Sequence, residues 1–206
     1  MRVSDTQAVT RLHHQAMGDS LWAKLGCEFL DSLYGQLIHN SKFLGFVYTE
    51  DDVVRGFIVG SEHVSRMYLR VGIFRGYRLL IPVVRGIVGN PGLVSKLITT
   101  GTYFRASAVD QEVSSIKAES LFCSFDRDLR GRRIAGHINK VLFDELAYRG
   151  HRFVKITTEV DNLGANRQLK SWGFEDRGRF TFYKKAMVVY VLDLLASARV
   201  QPKSHF

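Results

Sequence analysis

The amino-acid sequence predicts a mixed α/β (α+β) fold, in which helices pack against one central sheet. Three patterns support this prediction. Apolar residues recur every four positions within 5–39, two β-rich runs flank a turn within 43–60, and strand and helix patterns alternate from residue 114 onward. The chain has 206 residues, of which 46% are hydrophobic and 24% are charged. This length and composition suit one domain with a sizeable core.

The first 60 residues are predicted to form a helical region and then a hairpin. The four-residue repeat within 5–39 would give one apolar face, made by Leu21, Leu25, Phe29, Leu33 and Leu37. The next segment, FLGFVYTEDDVVRGFIVG (43–60), has two apolar runs separated by TEDD. A polar turn between two such runs is typical of a β-hairpin.

Residues 64–110 alternate apolar clusters with single basic residues, and we predict here a basic helical insert that is broken at GNPG (89–92). No acidic residue occurs between Glu62 and Asp110. The cations of this interval are Arg66, Arg70, Arg75, Arg78, Arg85, Lys96 and Arg105. Because the net charge of the whole chain is +9, most of the excess lies in the insert, and an anionic partner is expected.

The sequence from residue 114 onward predicts a strand, a helix, a strand, a helix and two closing strands. The segments are SSIKAESLFCSF, the helix 131–149, HRFVKITTEV, DNLGANRQLKSW and GRFTFYKKAMVVYVLDL, with DRDL as the loop after the first strand. This order implies one parallel crossover between the first two strands. Gly150 is expected to end the long helix as its C′ residue.

The start of the long helix, RDLRGRRIAGHI, carries several arginines at an end that is already positive. Free backbone amides and the helix dipole favour a phosphate at this position, and arginines would add charge-assisted hydrogen bonds once the phosphate is bound. The alternative is that Arg130, Arg132 and Arg133 are solvated surface charges, which is the usual situation for arginine. These residues alone favour neither interpretation.

Two motifs in this half of the chain resemble the GNAT superfamily of acyl-CoA-dependent N-acyltransferases. The family has Arg/Gln-x-x-Gly-x-Gly/Ala at a helix start, then a strand, then Asn-x-x-Ala with Gly-Phe eight and nine residues after the Ala. The matching residues here are Arg130 and Ala135 in the first motif, and Asn162, Ala165, Gly173 and Phe174 in the second. The resemblance covers about 116–193. It is looser over the N-terminal helix and the hairpin, and absent over 64–110.

The resemblance implies a GNAT-type sheet, mixed and mostly antiparallel, with a splayed parallel strand pair and flanking helices. It implies one acyltransferase domain over 1–206 that contains the basic insert at about 64–110. In this family the pantetheine arm of acyl-CoA lies in the gap between the splayed strands and the diphosphate lies at the helix start. The implied cofactor-binding residues are Cys123, Ser124, Phe125, Arg130, Gly131, Arg132, Arg133, Ile134, Ala135, Gly136, Asn162 and Asn166. Asn162 could equally be a plain helix N-cap.

Arg133 departs from the family pattern, because it occupies the middle Gly position of the first motif. A glycine there lets the backbone approach the diphosphate without a Cβ atom. We expect the Arg133 side chain to swing outward and bind phosphate through its guanidinium. The turn could instead use Gly131 and Gly136, or the cofactor affinity could be poor.

The activity implied is direct transfer of an acyl group, with acetyl preferred, from acyl-CoA to a primary amine of a small acceptor, for which an amino sugar is one option. Glu119 is the candidate general base. Strand alternation would place it beside Leu121, Cys123 and Phe125, and such apolar neighbours would raise its pKa. The alternative is an exposed glutamate near the sheet edge.

The general acid is not evident from the sequence. Many relatives have a Tyr four residues before the Gly-Phe pair, where this chain has Leu169. Tyr183 is a candidate substitute, although an aromatic residue in a strand is more often packing. Water could also supply the proton, or the thiolate could leave unaided.

Three anionic partners fit the basic insert: a phosphate-bearing acceptor, a membrane surface, or an acyl carrier protein that delivers the acyl group in place of CoA. The alternative is that these arginines simply face water. A non-catalytic acyl-CoA-binding or membrane-docking module is the rival function. Nucleic acid is not expected, because no basic-aromatic platform is present. The oligomeric state is left open, with a dimer allowed.

The remaining residues favour a cytoplasmic protein, with a peripheral position at the inner face of the membrane as an option. Cys27 and Cys123 lie in apolar neighbourhoods and are expected to be reduced, buried thiols. The N-terminus has no apolar stretch of the kind found in secretory signals. No metal is expected, because the histidines lack ligand spacing and would be surface or capping residues: His13, His14, His63, His137 and His151.

Overall fold

Six strands form the central sheet. The computed structural model describes residues 1–18, 20–75, 77–90, 92–93, 111–129, 131–182 and 184–206, with the backbone alone over 71–78. The strands are β1 (Phe43–Glu50), β2 (Val53–Ser61), β3 (Glu119–Phe125), β4 (Phe153–Glu159), β5 (Glu175–Phe182) and β6 (Lys185–Asp193). Their order across the sheet is β1-β2-β3-β4-β6-β5.

Helices pack on both faces of this sheet. They are α1 (Thr6–Met17), α2 (Leu21–Lys24), α3 (Cys27–Leu37), α4 (Val64–Arg75), α5 (Tyr77–Gly89), α6 (Gln111–Ser115), α7 (Ile134–Tyr148) and α8 (Leu163–Ser171). Short 3₁₀ turns occupy Val3–Asp5 and Arg127–Leu129. Among the described segments, none of the helices has the length and apolar character needed to cross a membrane.

The sheet is antiparallel except between β3 and β4. These two strands are parallel and pair only through Glu119 with Lys155 and Ser120 with Ile156. Beyond these pairs the strands separate, while β4 stays paired with β6 as far as Glu159. The predicted mixed sheet with one splayed parallel pair is therefore confirmed.

Two hydrophobic cores lie on opposite faces of the sheet. The α7-side core includes Ile58, Leu142, Phe143, Trp172 and Tyr190. The α1-side core includes Leu12, Leu30, Tyr34, Phe57 and Val59. The alternation of Phe57, Ile58 and Val59 between the cores is the period-2 pattern of a strand buried on both faces.

Two chain reversals follow the predicted turn chemistry. The β1–β2 hairpin turns at Asp51 and Asp52, which have φ of 50° and 61° and so form the left-handed two-residue turn that suits twisted strands. After α7, Gly150 has φ of 82°. The amide of His151 donates to the Leu146 carbonyl at 3.0 Å, which closes the helix with a Schellman motif.

The predicted helical region 5–39 is three helices rather than a single run. The backbone leaves helical geometry at Gly26, where φ is 98°. Ser20 begins α2 as an N-cap that accepts the Ala23 amide at 3.2 Å. The apolar four-residue repeat nevertheless predicts the buried face correctly, because all its members lie in the α1-side core.

The basic insert begins as predicted with helix, which the described residues place in α4 and α5. The GNPG sequence marks the end of α5 at Gly89. The second helical piece expected after GNPG lies outside the described residues, apart from Gly92, which is in a turn, and Leu93, which is helical.

Two side chains are placed differently from the sequence prediction. His13 is 1% exposed in the α1-side core rather than at the surface, and burial lowers its pKa to about 4. Its Nδ1 atom lies 2.7 Å from the Tyr34 hydroxyl, which satisfies one ring nitrogen. Cys27 is exposed at the start of α3, while Cys123 is half-buried. The helix start at Cys27 follows the Gly26 reversal, which turns its side chain away from the core.

Gly60 of β2 provides a test of this packing. A Cβ atom at Gly60 would lie 2.9 Å from the Glu119 carbonyl oxygen, so Gly60→Ala must displace backbone. We expect it to lower the free energy of unfolding by about 1–3 kcal/mol in urea denaturation followed by circular dichroism. The matched Gly35→Ala change lies inside α3 with no atom within 4 Å of the new Cβ. It should raise stability by up to about 1 kcal/mol. Equal effects of the two changes would contradict this packing.

Candidate functional site

The free edge of β3 faces the gap where β4 diverges. We call residues 121–125 the β3 open edge. The amide of Asp126 donates to the Arg55 carbonyl at 2.8 Å, toward β2. Because backbone directions alternate along a strand, Ser124 also points toward β2, while the amides and carbonyls of Cys123 and Phe125 point into the gap. The Ser124 hydroxyl is used elsewhere, donating to the Leu12 carbonyl at 3.2 Å.

A bulge in β3 changes which side chains share a face. Val59 pairs with Phe122 and Gly60 with Ser120, so Leu121 is an extra residue in β3. Leu121 and Phe122 consequently both pack toward the α1-side core, whereas Cys123 and Phe125 pack toward the α7-side core. The prediction that Glu119 shares a face with Cys123 and Phe125 is therefore wrong, because period-2 alternation does not continue through a bulge.

Glu119 lies at the closed end of the gap, on the α1 side of the sheet. Its side chain is 17% exposed, and the Lys155 Nζ atom lies 3.9 Å from its Oε2 atom. Burial raises the pKa of Glu119, and the nearby positive charge of Lys155 only partly opposes this. The predicted upward direction of the pKa is confirmed, although the neighbours responsible differ from those expected.

Sequence reasoning missed two polar neighbours of Glu119. Lys155 is its register partner across the parallel pair. Tyr68 of α4 stacks on Trp22 with ring centroids 6.0 Å apart. Burial and then the Glu119 charge raise the pKa of Tyr68, so its phenol stays protonated. Only the strand pairing and the position of α4 place these residues here, and neither could be derived from a local sequence pattern.

The chain reverses between β3 and α7 through residues 126–133, which we call the α7 turn. Gly131 has φ of 84° and Arg133, the residue preceding α7, has φ of 60°. Arg133 thus adopts the left-handed conformation that favours glycine. The Arg133 side chain is exposed, as the outward orientation requires. Arg130 lies outside the described residues.

The amides at the start of α7 are only partly used by the protein. Those of Ile134 and Ala135 precede the first hydrogen bond of the helix. The Gly136 amide instead donates to the Arg133 carbonyl at 3.0 Å, so it is less available to a ligand than was expected. Arg133 provides no side-chain cap for this end of the helix.

A network of ion pairs fixes the α7 turn to the hairpin and to α1. Asp126 accepts from Arg11 at 3.0 Å and from Arg55 at 2.6 Å. Although burial opposes the effect, these two guanidinium groups lower the pKa of Asp126. Arg55 also pairs with Asp128. Arg132 reaches Glu50 at 2.7 Å, so one of the three arginines of this helix start is neutralised by the hairpin.

The second motif supports the opposite side of the gap. The Asn162 Oδ1 atom accepts the Ala165 amide at 3.2 Å, so Asn162 is the N-cap of α8. Asn166 donates its amide to the Glu159 and Val160 carbonyls at the end of β4, at 3.1 and 3.0 Å. Its own side-chain oxygen is buried without a partner in the described structure. This atom is an unused acceptor close to the end of β4.

The rest of the motif is structural. Gly173 has φ of 89° and follows the end of α8, and the Phe174 amide donates to the Leu169 carbonyl at 3.2 Å. Leu169 and Phe174 are both buried in the α7-side core. Leu169 therefore cannot supply a proton. Tyr183, the candidate substitute acid, lies outside the described residues.

The groups present suit an extended polar arm with an anionic end. The open backbone groups of Cys123 and Phe125 lead toward the positive-φ α7 turn and the exposed guanidinium of Arg133. Burial raises the pKa of the Cys123 thiol to about 12, so this thiol is not a nucleophile at neutral pH. Within the described ranges, no group of three histidine, cysteine, aspartate or glutamate side chains is placed to hold a metal ion.

Several solved structures with a similar fold are described as acetyltransferases. One is the ribosomal-protein-S18-alanine N-acetyltransferase of Escherichia coli, which is 12% identical to this chain and has a TM-score of 0.58. The alignment covers 100% of this chain and 95% of that protein. A protein of Desulfovibrio desulfuricans assigned to the GNAT family is 10% identical to this chain and has a TM-score of 0.54. The alignment covers 93% of this chain and 92% of that protein. A Salmonella typhimurium protein, described as an acetyltransferase with its cofactor acetyl-CoA, is 14% identical to this chain and has a TM-score of 0.56. The alignment covers 94% of this chain and 91% of that protein.

Comparison at the sequence level finds a shorter match. The mycothiol acetyltransferase of Brachybacterium faecium is 36% identical over 62 residues, which are 30% of this chain and 19% of that protein. The match therefore spans about a fifth of the length of the curated relative. No family model matches the sequence.

The raised pKa of Glu119 predicts a pH-dependent stability cost. A carboxyl group whose pKa is raised on folding loses its favourable contribution as the pH rises through the folded-state pKa. We therefore expect Glu119→Gln to raise the free energy of unfolding at pH 8 and to have progressively less effect as the pH falls toward 5. The matched Glu175→Gln change, at a side chain that is 68% exposed, should give no such pH dependence. Urea denaturation across this pH range measures both, and equal profiles would contradict the assignment.

Proposed function

We propose that this chain, which has the GNAT fold, is an acyl-CoA-dependent N-acyltransferase that moves an acyl group directly to a primary amine of a small acceptor. Acetyl is the preferred acyl group. The observation that carries the proposal is the gap that opens in the parallel pair after Ser120, with Glu119 at its closed end and the α7 turn at its open end.

The cofactor would bind along this gap. The backbone groups of Cys123 and Phe125 would hold the pantetheine arm as an added strand. The amides of Ile134 and Ala135, at the positive end of α7, would hold the diphosphate, with the Arg133 guanidinium adding charge-assisted bonds. The free oxygen of Asn166 would accept a hydrogen bond from the opposite side. Ser124, by contrast, is engaged with α1 and would contribute through its position in the strand only.

The acyl transfer would need one deprotonated carboxylate that acts as the general base. Acyl-CoA supplies the thioester carbonyl carbon that the amine attacks and the sulfur that leaves. Glu119 would remove the proton that the amine must lose, and its raised pKa makes it a better base than an exposed glutamate. The departing sulfur would be protonated by water or by Tyr183. The elevated pKa of the Cys123 thiol favours direct transfer over an acyl-enzyme intermediate.

A second candidate is a non-catalytic protein that binds acyl-CoA. It is favoured by Leu169, which occupies the position of the family's acid and is buried in the core. Binding of acyl-CoA without release of thiol in the presence of a panel of amines, amino sugars included, would identify this function.

The proposal extends to the class of the acceptor and to the location of the protein in the cell. Arg66 and Arg70 are exposed on α4, near the Glu119 end of the sheet, which suits an amine that also carries phosphate, such as a phosphorylated amino sugar. An acidic acyl carrier protein could replace CoA as the donor. We propose one domain over 1–206, acting in the cytoplasm.

Arg133 provides the test of cofactor binding by isothermal titration calorimetry. We expect Arg133→Ala to weaken binding of acetyl-CoA about tenfold, as for loss of one charge-assisted contact. Arg133→Gly should weaken it equally but raise the free energy of unfolding by about 1 kcal/mol, because it relieves the left-handed conformation. Arg177→Ala, at an exposed side chain paired with Glu175, is the control.

Two outcomes would contradict these assignments separately. Unchanged binding in both Arg133 variants would exclude Arg133 from the phosphate site. An absence of heat with acetyl-CoA, longer acyl-CoAs and free CoA in the wild-type protein would exclude the proposed function itself.

The pH dependence of kcat/KM tests the base. Activity should fall as the pH drops through the raised pKa of Glu119, and Glu119→Gln should lower kcat/KM about 100-fold or more. Lys155→Met removes the positive charge that opposes the shift, so the acid limb should move to higher pH. Lys203→Met, at an exposed residue of the C-terminal tail, should leave the limb unchanged. An unaltered rate in Glu119→Gln would show that the base is another group.

A further inference from the structure

Helix α5 is apolar on two opposite faces. Its inner face packs on the α1-side core through Leu79 and Val83. Gly86 lies on the same side, so close to α2 that an added Cβ atom would be 2.9 Å from the Leu25 carbonyl oxygen. Among the described residues, the apolar contacts of α5 with the α1-side core are therefore made by this inner face.

The second apolar face of α5 is left in solvent. We call it the α5 outer face, and its members are Leu80, Ile81, Val84 and Val88, which are 61%, 61%, 56% and 76% exposed. At the spacing of a helix these residues fall within an arc of roughly 100°. Leu69 of the neighbouring α4 is also 60% exposed. Single exposed apolar residues are ordinary, but a helix that exposes a continuous apolar face marks a binding surface.

The segment that contains this face is rich in positive charge. The interval 63–109 contains seven cations and no acidic residue, so it holds most of the net charge of +9. Arg66 and Arg70 are exposed on α4. Arg85, on α5 itself, is 68% exposed and pairs with Glu28 of α3 at 2.7 Å. The surface therefore combines apolar side chains with an excess of positive charge.

We infer that the α5 outer face, with Leu69 and the surrounding arginines, docks on the surface of an anionic lipid bilayer. An apolar helical face flanked by arginines suits the boundary between headgroups and acyl chains. Anionic headgroups also complement the exposed Arg66 and Arg70 of α4. A second copy of this chain fits less well, because a symmetric contact would bring two such cationic segments together. With thirteen residues, α5 lies in the interface rather than across the bilayer.

Docking here would orient the candidate active site. Helix α4 begins at Val64, three residues after Ser61, and Ser61 is the register partner of Glu119. The closed end of the gap would thus lie beside the bilayer surface. The inference does not depend on acyl transfer, because the surface is made by residues outside the gap.

Sedimentation with lipid vesicles tests the apolar part of the surface. The full chain should bind phosphatidylcholine vesicles that contain phosphatidylglycerol and bind pure phosphatidylcholine at least tenfold more weakly, with binding reduced by added salt. Ile81→Glu and Val84→Glu should each reduce binding about tenfold or more. The matched Leu195→Glu variant changes a residue that follows β6 and is 66% exposed, and it should bind the vesicles as the wild type does.

A double variant on α4 tests the contribution of positive charge to vesicle binding. Arg66→Glu combined with Arg70→Glu should reduce binding to the anionic vesicles and leave the weak binding to neutral vesicles unchanged. Absence of vesicle binding by the wild type, or equal losses in Val84→Glu and Leu195→Glu, would overturn the proposal. So would a dimer in sedimentation velocity that Val84→Glu dissociates, or a melting temperature lowered by Val84→Glu, since either shows that protein covers this face.

Discussion

The structure depends on how little of β3 is paired with β4. Two residue pairs join these parallel strands, and the other edge of β3 is paired with β2 along its length, except at the bulge residue Leu121. Four antiparallel pairings hold the remaining strands together, so the sheet can tolerate a gap at its centre. The gap leaves backbone donors and acceptors of β3 unpaired, which is costly unless water or a ligand satisfies them. The candidate site is this unsatisfied backbone, with the side chains arranged at its two ends.

The charges near the open end of the gap are balanced rather than simply positive. Arginines at the start of α7 oppose the helix dipole, which is unfavourable in the ligand-free protein. Glu50 offsets this for Arg132, and Asp126 and Asp128 anchor Arg55 beneath the turn. Arg133 lacks such a partner among the described contacts and is exposed. Among the described arginines, the arrangement leaves the Arg133 guanidinium exposed while Arg55 and Arg132 hold the turn in place.

The sequence predicted the elements whose signals are local. The hairpin, α7 with its Gly150 end, and the parallel crossover all follow from turn residues and periodicity. Features that depend on pairing between distant segments were not accessible. The bulge at Leu121 is visible only against β2, and it altered the neighbours expected for Glu119. Lys155 and His13 are likewise placed by the register of β4 and by the packing of α1, which a local pattern does not encode.

The bulge at Leu121 also sets a length. Each residue of a strand advances the chain by roughly 3.3 Å, so the number of residues in β3 fixes the separation between the carboxylate at its start and the turn after its end. Strand β3 therefore fixes the length available to the pantetheine arm that we propose to bind along the gap. Deleting Leu121 would restore regular alternation without moving any side chain to the other face, yet it would shorten this distance by one residue and so misalign an arm of fixed length.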